Sequence, residues 1–194
     1  PDSTIAYPYC WKECEVLDNG PLRFTAKLVY NPLVIKGDSN VVETRVISLD
    51  KGSQLNKTVI SYTDLKEVTP IVAGIVIHKE NPTGYSFDSN AGYIAYADST
   101  QNPRNNNGVI YVGAVFPASL NAAKAQLFPE AERKEHGGAL GHVLGISDYE
   151  PGTEYVYYWG SGWSKYGFAA DTEWTKYLEN FAQQVRNPLT VTVK

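Results

Sequence analysis

The chain has 194 residues, of which 20% are charged, and its formal net charge is −4. This length fits one domain, which can bury roughly 70% of the surface of its unfolded chain and needs no disulfide or metal to hold a core. There is no basic patch and no apolar run of transmembrane length. The sequence therefore excludes nucleic acid, anionic membrane surfaces and membrane insertion from the expected interactions.

The first residue is Pro1 and the sequence contains no methionine, which indicates a processed form or a fragment of a longer protein. We do not expect any part of residues 1–194 to be a signal peptide. The two cysteines, Cys10 and Cys14, are too far apart for a disulfide if their segment is extended, so we expect two free thiols. Their spacing matches neither a thioredoxin motif nor a zinc motif. With no phosphate loop or dinucleotide fingerprint either, no metal and no cofactor are predicted.

Alternating apolar and polar residues, separated by turns rich in Gly, Asn, Asp and Pro, predict an antiparallel series of strands. The predicted strands are residues 14–18, 22–35 with a break at Asn31-Pro32, 41–50, 55–62, 71–78, 93–97, 109–115, 139–146 and 189–193. The polar segment 99–108 is expected to be a surface loop, and 129–138 a loop or a single helical turn.

The aromatic stretch from residue 155 to residue 167 reads YVYYWGSGWSKYG. As a strand, its two-residue period places Tyr155, Tyr157, Trp159 and Trp163 on one face. Flat aromatic faces beside glycine backbone are a good floor for a sugar ring, so Tyr157, Trp159 and Trp163 are candidate substrate-binding residues for a carbohydrate ligand. The alternative is a β-core that is rich in aromatic residues, since such residues favour strands.

One helix is predicted at residues 171–185. Asp171 is suited to cap its N-terminus and Asn187-Pro188 to end it. Its apolar stripe consists of Trp174, Tyr177, Leu178, Phe181 and Val185. About ten strands and one helix predict an all-β fold, an antiparallel β-sandwich or barrel-like double sheet, as a single domain over residues 1–194.

Two of the three histidines, His78 and His142, fall in predicted strands among apolar residues. Each could be a core histidine with a satisfied partner, or the two could share a cleft with the aromatic stretch. His136 lies in a polar segment and is expected to be exposed.

Three cations, Arg23, Arg45 and Lys165, could bind the carboxylate of an acidic sugar. Lys165 is close to Trp163 in sequence, whereas an exposed strand charge is the simpler interpretation of Arg45. Four carboxylates are available, Glu43, Glu80, Asp98 and Asp148, but their spacing does not pair them as in a glycosidase.

Several segments resemble a known family. Asp18-Asn19-Gly20-Pro21-Leu22-Arg23 resembles the first strand of the galactose-mutarotase-like supersandwich. The segments 41–50 (VVETRVISLD), 74–79 (GIVIHK), 137–145 (GGALGHVLG) and 157–165 (YYWGSGWSK) resemble a family of secreted bacterial proteins catalogued as a domain of unknown function, of the DUF4861 type.

The resemblance implies a supersandwich with a concave carbohydrate-facing sheet, a secreted or periplasmic location, and an association with polysaccharide degradation. Members of the family are longer, so this chain is expected to be the C-terminal part of such a protein. The fold alone does not decide the activity, because many activities share it.

Three functions remain open. A lyase acting on an acidic plant-type polysaccharide would use His78 or His142 as the base, Arg23 and Lys165 on the uronate carboxylate, and Trp163 under the ring, with Tyr157, Trp159 and Arg45 as further binding residues. A mutarotase- or epimerase-like enzyme would need a histidine acid and a carboxylate base. A non-catalytic carbohydrate-binding or structural sandwich would use the same aromatic floor.

Overall fold

A computed structural model of the chain describes residues 5–99 and 103–192. Within these residues the strands are β1 (Trp11–Asn19), β2 (Arg23–Tyr30), β3 (Leu33–Ile35), β4 (Asp38–Asp50), β5 (Leu55–Thr63), β6 (Thr69–Ile77), β7 (Tyr85–Asp88), β8 (Tyr93–Ser99), β9 (Val109–Val115), β10 (Ala122–Leu127), β11 (Gly141–Tyr149) and β12 (Tyr155–Trp163). The α-helix is α1 (Asp171–Arg186), and Pro103–Asn105 and Glu130–Glu132 form short 3-10 helices.

The chain divides into two compact units. Unit 1 comprises Pro1–Pro70 and Asp148–Tyr157, and unit 2 comprises Ile71–Ser147 and Tyr158–Lys194. The prediction of a single domain over residues 1–194 stays a prediction, because compact units of this kind also occur inside single domains.

In unit 1 the strands form an antiparallel sheet in the order β1-β2-β4-β5, with β3 paired to β4 and the start of β12 beside β5. Alternation along β4 places Val41 and Glu43 in the interior. Strand β1 is the edge of this sheet, and all nine of its residues are exposed.

In unit 2 the antiparallel strands follow the order β12-β9-β8-β7, and a separate three-stranded sheet has the order β10-β11-β6. Helix α1 packs on the four-stranded part through Trp174, Leu178 and Ala182, which are all buried. Arg186 holds the C-terminal end of the helix. Its guanidinium donates hydrogen bonds to the carbonyl oxygen of Asn90, between β7 and β8, and to those of Phe116 and Pro117, directly after β9.

Two glycines in the sheet allow the helix to approach closely. A Cβ atom at Gly162 would lie 2.6 Å from Cδ2 of Phe168 and 3.0 Å from Cε3 of Trp174, and one at Gly113 would lie 2.6 Å from Cδ1 of Leu178. The expectation that glycines of the aromatic stretch open its backbone to a ligand is therefore replaced at Gly162 by a packing role.

The predicted fold class is confirmed, since the chain consists mainly of antiparallel β-sheets in a sandwich-like arrangement with one helix near the C-terminal end. Both cysteines are free, as expected, and both are exposed. Strands β7 and β10 were not predicted.

The predicted last strand is wrong for residues 189–192, which have no regular structure, and Val193 lies outside the described residues. Leu189 and Val191 are almost fully exposed, so their β-forming side chains have no sheet to pack on. The helix begins at Asp171 itself, and Ala170 occupies the cap position without a side-chain hydrogen bond. Glu173 accepts a hydrogen bond from the Ala169 backbone NH at 2.6 Å, so it serves the helix N-terminus instead.

Gly162→Ala is expected to lower the free energy of unfolding by about 1–3 kcal/mol, because the added methyl group must displace two packed rings. Chemical denaturation measures this change. The control is Gly20→Ala, where the nearest atom to the added Cβ is the Arg23 oxygen at 3.7 Å. Equal unfolding free energies for the two variants would show that helix α1 does not need the glycine.

Candidate functional site

One face of the four-stranded part of unit 2 carries the predicted site residue Trp163, and Asp98 on this face contacts a second one, His78, which follows β6. Asp98 on β8 pairs with Ile110 on β9, and Gly162 on β12 pairs with Tyr111. The next residue, Trp163, therefore lies opposite Ile110, so that Asp98, Ile110 and Trp163 form a row across three neighbouring strands. The hydrogen bond from the Ser164 backbone NH to the Val109 carbonyl oxygen, at 2.9 Å, continues the pairing of β12 with β9. We call the surface formed by His78, Asp98, Ile110 and Trp163 the His78 face.

The side of the sheet is fixed by the helix. Gly162 faces α1, so its neighbour Trp163 faces the opposite side, where it is 41% exposed. Neighbouring strands are about 4.8 Å apart, which puts the backbones of Asp98 and Trp163, two strands apart, roughly 10 Å from each other. This is a span that a short saccharide can bridge.

His78 and Asp98 form a hydrogen-bonded pair on this face. Nδ1 of His78 lies 3.0 Å from each carboxylate oxygen of Asp98, and the histidine side chain is 45% exposed. Because a carboxylate only accepts hydrogen bonds, Nδ1 carries the proton and Nε2 is left as the basic nitrogen. Within residues 5–99 and 103–192, Nε2 has no hydrogen-bond partner.

The backbone of His78 is also held in place. Its NH donates to the Tyr96 hydroxyl at 3.0 Å, and that hydroxyl lies 3.1 Å from the Asn81 carbonyl oxygen. Tyr96 is almost completely buried, and burial raises the pKa of its phenol. The hydroxyl thus stays protonated near neutral pH and can serve as a fixed structural link.

Trp163 and Lys165 are tied to the same loop. The indole Nε1 donates to the Asn107 carbonyl oxygen at 2.7 Å, and Nζ of Lys165 donates to the Asn106 carbonyl oxygen. These bonds restrain the indole while leaving part of its surface accessible. Trp159 lies four residues earlier on the same side of β12 and is 41% exposed.

His142 has different neighbours. The Phe128 ring meets His142 edge-on at a centroid distance of 5.1 Å and stacks on His136 at 3.8 Å. Burial, and secondarily the nearby His136, lower the pKa of His142 below its ordinary value. Of the two predicted bases, His78 is therefore the one on the same face as Trp163. His142 instead contacts Phe128, which also stacks on His136.

In unit 1, Arg45 and Tyr157 belong to a polar group that we call the Glu43 cluster, consisting of Tyr30, Glu43, Arg45, Tyr62 and Tyr157. Glu43 is only 1% exposed. Its Oε1 accepts a hydrogen bond from Nε of Arg45, and its Oε2 accepts one from the Tyr62 hydroxyl at 2.8 Å. The Arg45 guanidinium carbon lies 5.1 Å from the centre of the Tyr30 ring.

Burial keeps two phenols of the cluster, those of Tyr62 and Tyr157, protonated. Burial, followed by the Glu43 carboxylate, raises the pKa of Tyr62 far above its ordinary value. Burial also raises the pKa of Tyr157, although Arg45 opposes the shift. For Arg45, burial lowers the pKa but the Glu43 carboxylate outweighs it, so the pKa is raised. At neutral pH the tyrosines are hydrogen-bond donors and not bases.

Arg23, also in unit 1, forms an exposed bidentate pair with Asp50. Nε and Nη2 donate to the two carboxylate oxygens at 2.5 and 2.9 Å, and both side chains are more than half exposed. Such a surface pair contributes little to stability. This geometry occupies the Nε–Nη2 edge of the guanidinium.

The two carboxylates of these sites were not selected as site residues from the sequence. Asp98 and Glu43 were noted only as available carboxylates. Glu43 could have been found, because it lies two residues before Arg45 and a strand places such residues on one face. Asp98 is 20 positions from His78, and no local pattern connects them.

The described residues contain no group of three or more His, Cys, Asp or Glu side chains arranged to hold a metal ion. In the same part of the chain, no helix combines the length and apolar character needed to cross a membrane.

The fold and the His78 face define a β-rich domain that carries a histidine–carboxylate pair beside an exposed tryptophan. The chain belongs to the DUF4861 family, a domain of unknown function, which matches residues 1–191. Comparisons with curated proteins and with solved structures found no significant match.

The fold is expected to lose stability in acid partly through His142. Because the pKa of this side chain is lowered on folding from 6.5, its contribution is present above that pH and is lost as the pH falls toward and through the pKa of the folded state. Thermal melts between pH 7.5 and 5 should show a smaller loss for His142→Gln than for the wild type. His136→Gln is the control and should keep most of the wild-type loss, because burial is the larger cause. An unchanged pH dependence in His142→Gln would contradict this.

Proposed function

We propose that the protein is a carbohydrate-active enzyme that acts on an acidic plant-type polysaccharide or its oligosaccharides, with His78 as the catalytic base of a β-elimination. The observation that carries the proposal is the row formed by Asp98, Ile110 and Trp163, with His78 fixed on Asp98. The family resemblance to supersandwich proteins of polysaccharide degradation, and a secreted or periplasmic location, are parts of the same proposal.

The chemistry follows from the geometry of the imidazole. Asp98 orients the ring and stabilises the imidazolium that forms when Nε2 takes a proton. In a β-elimination this proton comes from C5 of the uronate ring. The C5–H electron pair then forms the C4–C5 double bond, the C4–O bond breaks, and the departing oxygen receives the proton held by the His78 imidazolium, directly or through a water molecule. The products are an unsaturated uronate and a shortened saccharide.

Trp163 supports the sugar ring in this proposal. Ring C–H groups pack on the indole face, and the hydrogen bond to the Asn107 carbonyl oxygen holds that face in a fixed orientation. Lys165 is placed by the adjacent carbonyl oxygen of Asn106, from which it could reach a substrate carboxylate.

The two alternatives are less well supported. A mutarotase-like reaction needs a carboxylate that acts independently of the histidine, but Asp98 is already bonded to Nδ1 of His78. A purely carbohydrate-binding domain could use Trp159 and Trp163 without any base. It gives no role to an oriented imidazole with an unpartnered Nε2 in the described part of the chain.

The proposal is tested by incubating the protein with pectin-derived and rhamnogalacturonan oligosaccharides and following the ultraviolet absorbance of unsaturated uronates. The wild type should generate the signal, and His78→Asn should reduce kcat by about 10²–10⁴-fold, because the proton acceptor is removed. Trp163→Ala should mainly raise KM.

His136→Asn is the matched control, since it changes a histidine outside the His78 face and should leave the rate near that of the wild type. No unsaturated product from any acidic glycan would sink the lyase proposal. Binding of the same glycans without turnover would instead favour the non-catalytic alternative.

A further inference from the structure

The Glu43 cluster of unit 1 has the features of a binding site for a negatively charged group. We infer that Arg45 binds the carboxylate of a uronic acid residue. This site goes beyond the elimination proposed for His78, because its argument depends only on contacts within unit 1.

Arg45 is fixed along one edge and over one face. Glu43 holds Nε, and the Tyr30 ring lies beneath the guanidinium at 5.1 Å. In the residues that the structure describes, the two terminal Nη groups have no hydrogen-bond partner. Arg45 is therefore oriented by the protein while keeping donors for a ligand.

The partners of Glu43 show that the carboxylate is there to position the arginine. Both of its oxygens accept hydrogen bonds within the cluster, one from Arg45 and one from the Tyr62 hydroxyl. Glu43 is only 1% exposed, so a ligand has little access to its oxygens, and its burial would be costly without these partners. The Arg45 side chain, in contrast, remains 25% exposed. The cluster therefore exposes part of the positive Arg45 guanidinium, whereas the negative Glu43 carboxylate is buried.

The geometry selects the chemistry of the ligand. Two parallel guanidinium N–H groups match the two oxygens of a planar carboxylate. The Tyr30 ring under the guanidinium holds these N–H groups in a fixed direction. A planar carboxylate such as that of a uronic acid therefore fits them, whereas a spherical inorganic anion would not use both.

Arg23 provides the internal contrast. It is also a strand arginine bonded to a carboxylate, but it engages Asp50 through both Nε and Nη2 and both partners are largely exposed. Among the described residues it therefore lacks the aromatic ring and the partial burial that Arg45 has. Arg133→Lys is the matched control for Arg45→Lys, because Arg133 lies outside both the Glu43 cluster and the His78 face.

The test is isothermal titration calorimetry of trigalacturonate and its fully methyl-esterified form, using His78→Asn as the background so that no turnover occurs. The free acid should bind about tenfold to a hundredfold more tightly than the ester, and Arg45→Lys should weaken binding of the acid by a similar factor while Arg133→Lys leaves it unchanged. Equal binding of acid and ester, or unchanged binding in Arg45→Lys, would overturn the inference.

The double variant Glu43→Gln/Arg45→Gln covers the case in which Arg45→Lys does not fold, because it replaces the ion pair with two neutral groups and leaves no isolated buried charge. It should lower the preference for the acid over the ester by at least the factor found for Arg45→Lys, while Lys165 of the other site is unchanged. If it keeps that preference, Arg45 is not the binding group. The same Arg45 variants are also made with His78 intact. If they form product normally although acid binding is lost in the His78→Asn background, this site is separate from the proposed elimination.

Discussion

The packing of helix α1 on a glycine-bearing part of the sheet is the constraint on which the candidate site depends. The helix needs close contact at Gly113 and Gly162, where Leu178, Trp174 and Phe168 occupy the space of a side chain. Because side chains alternate along a strand, burying Gly162 under the helix sends Trp163 to the other side. Trp163 therefore remains accessible on the face that also carries Asp98 and His78. An aromatic residue at position 162 would disrupt both the close packing of the helix and the accessible position of Trp163.

In the described part of each unit a carboxylate fixes one nitrogen of a functional side chain and leaves its other nitrogens free. In unit 2 a carboxylate holds Nδ1 of His78 and leaves Nε2 for chemistry. In unit 1 a carboxylate holds Nε of Arg45 and leaves the Nη groups for a ligand. A group that is fixed at one end loses little conformational entropy when its other end binds, so both arrangements favour recognition and catalysis.

The fold could be predicted from the sequence to a large extent, because strands with strict alternation and a helix with a regular apolar stripe carry strong local signals. Strand β10 escaped because its sequence AAKAQL is rich in residues that do not favour strands, and its pairing with β11 supplies what the local sequence lacks. Residues 189–192 show the reverse, since β-forming side chains there have no partner strand.

The candidate site was predictable only in part. His78 and Trp163 could be selected by residue type, but the row that joins Trp163 to Asp98 depends on the registers of two strand pairs, which local sequence does not specify. The pairing of Glu43 with Arg45 could have been predicted, because residues two apart in β4 place their side chains on one face of the strand. The glycines of the aromatic stretch carried a misleading signal, since helix packing and ligand access require the same small residue.

The most direct test of the central claim is a crystal structure of His78→Asn with a bound acidic oligosaccharide. The account predicts a uronate ring stacked on Trp163, with its C5 atom close to residue 78 and within about 3 Å of the position that Nε2 occupies in the wild type. A saccharide bound away from both Trp159 and Trp163, or stacked on Trp163 with C5 turned away from residue 78, would contradict it.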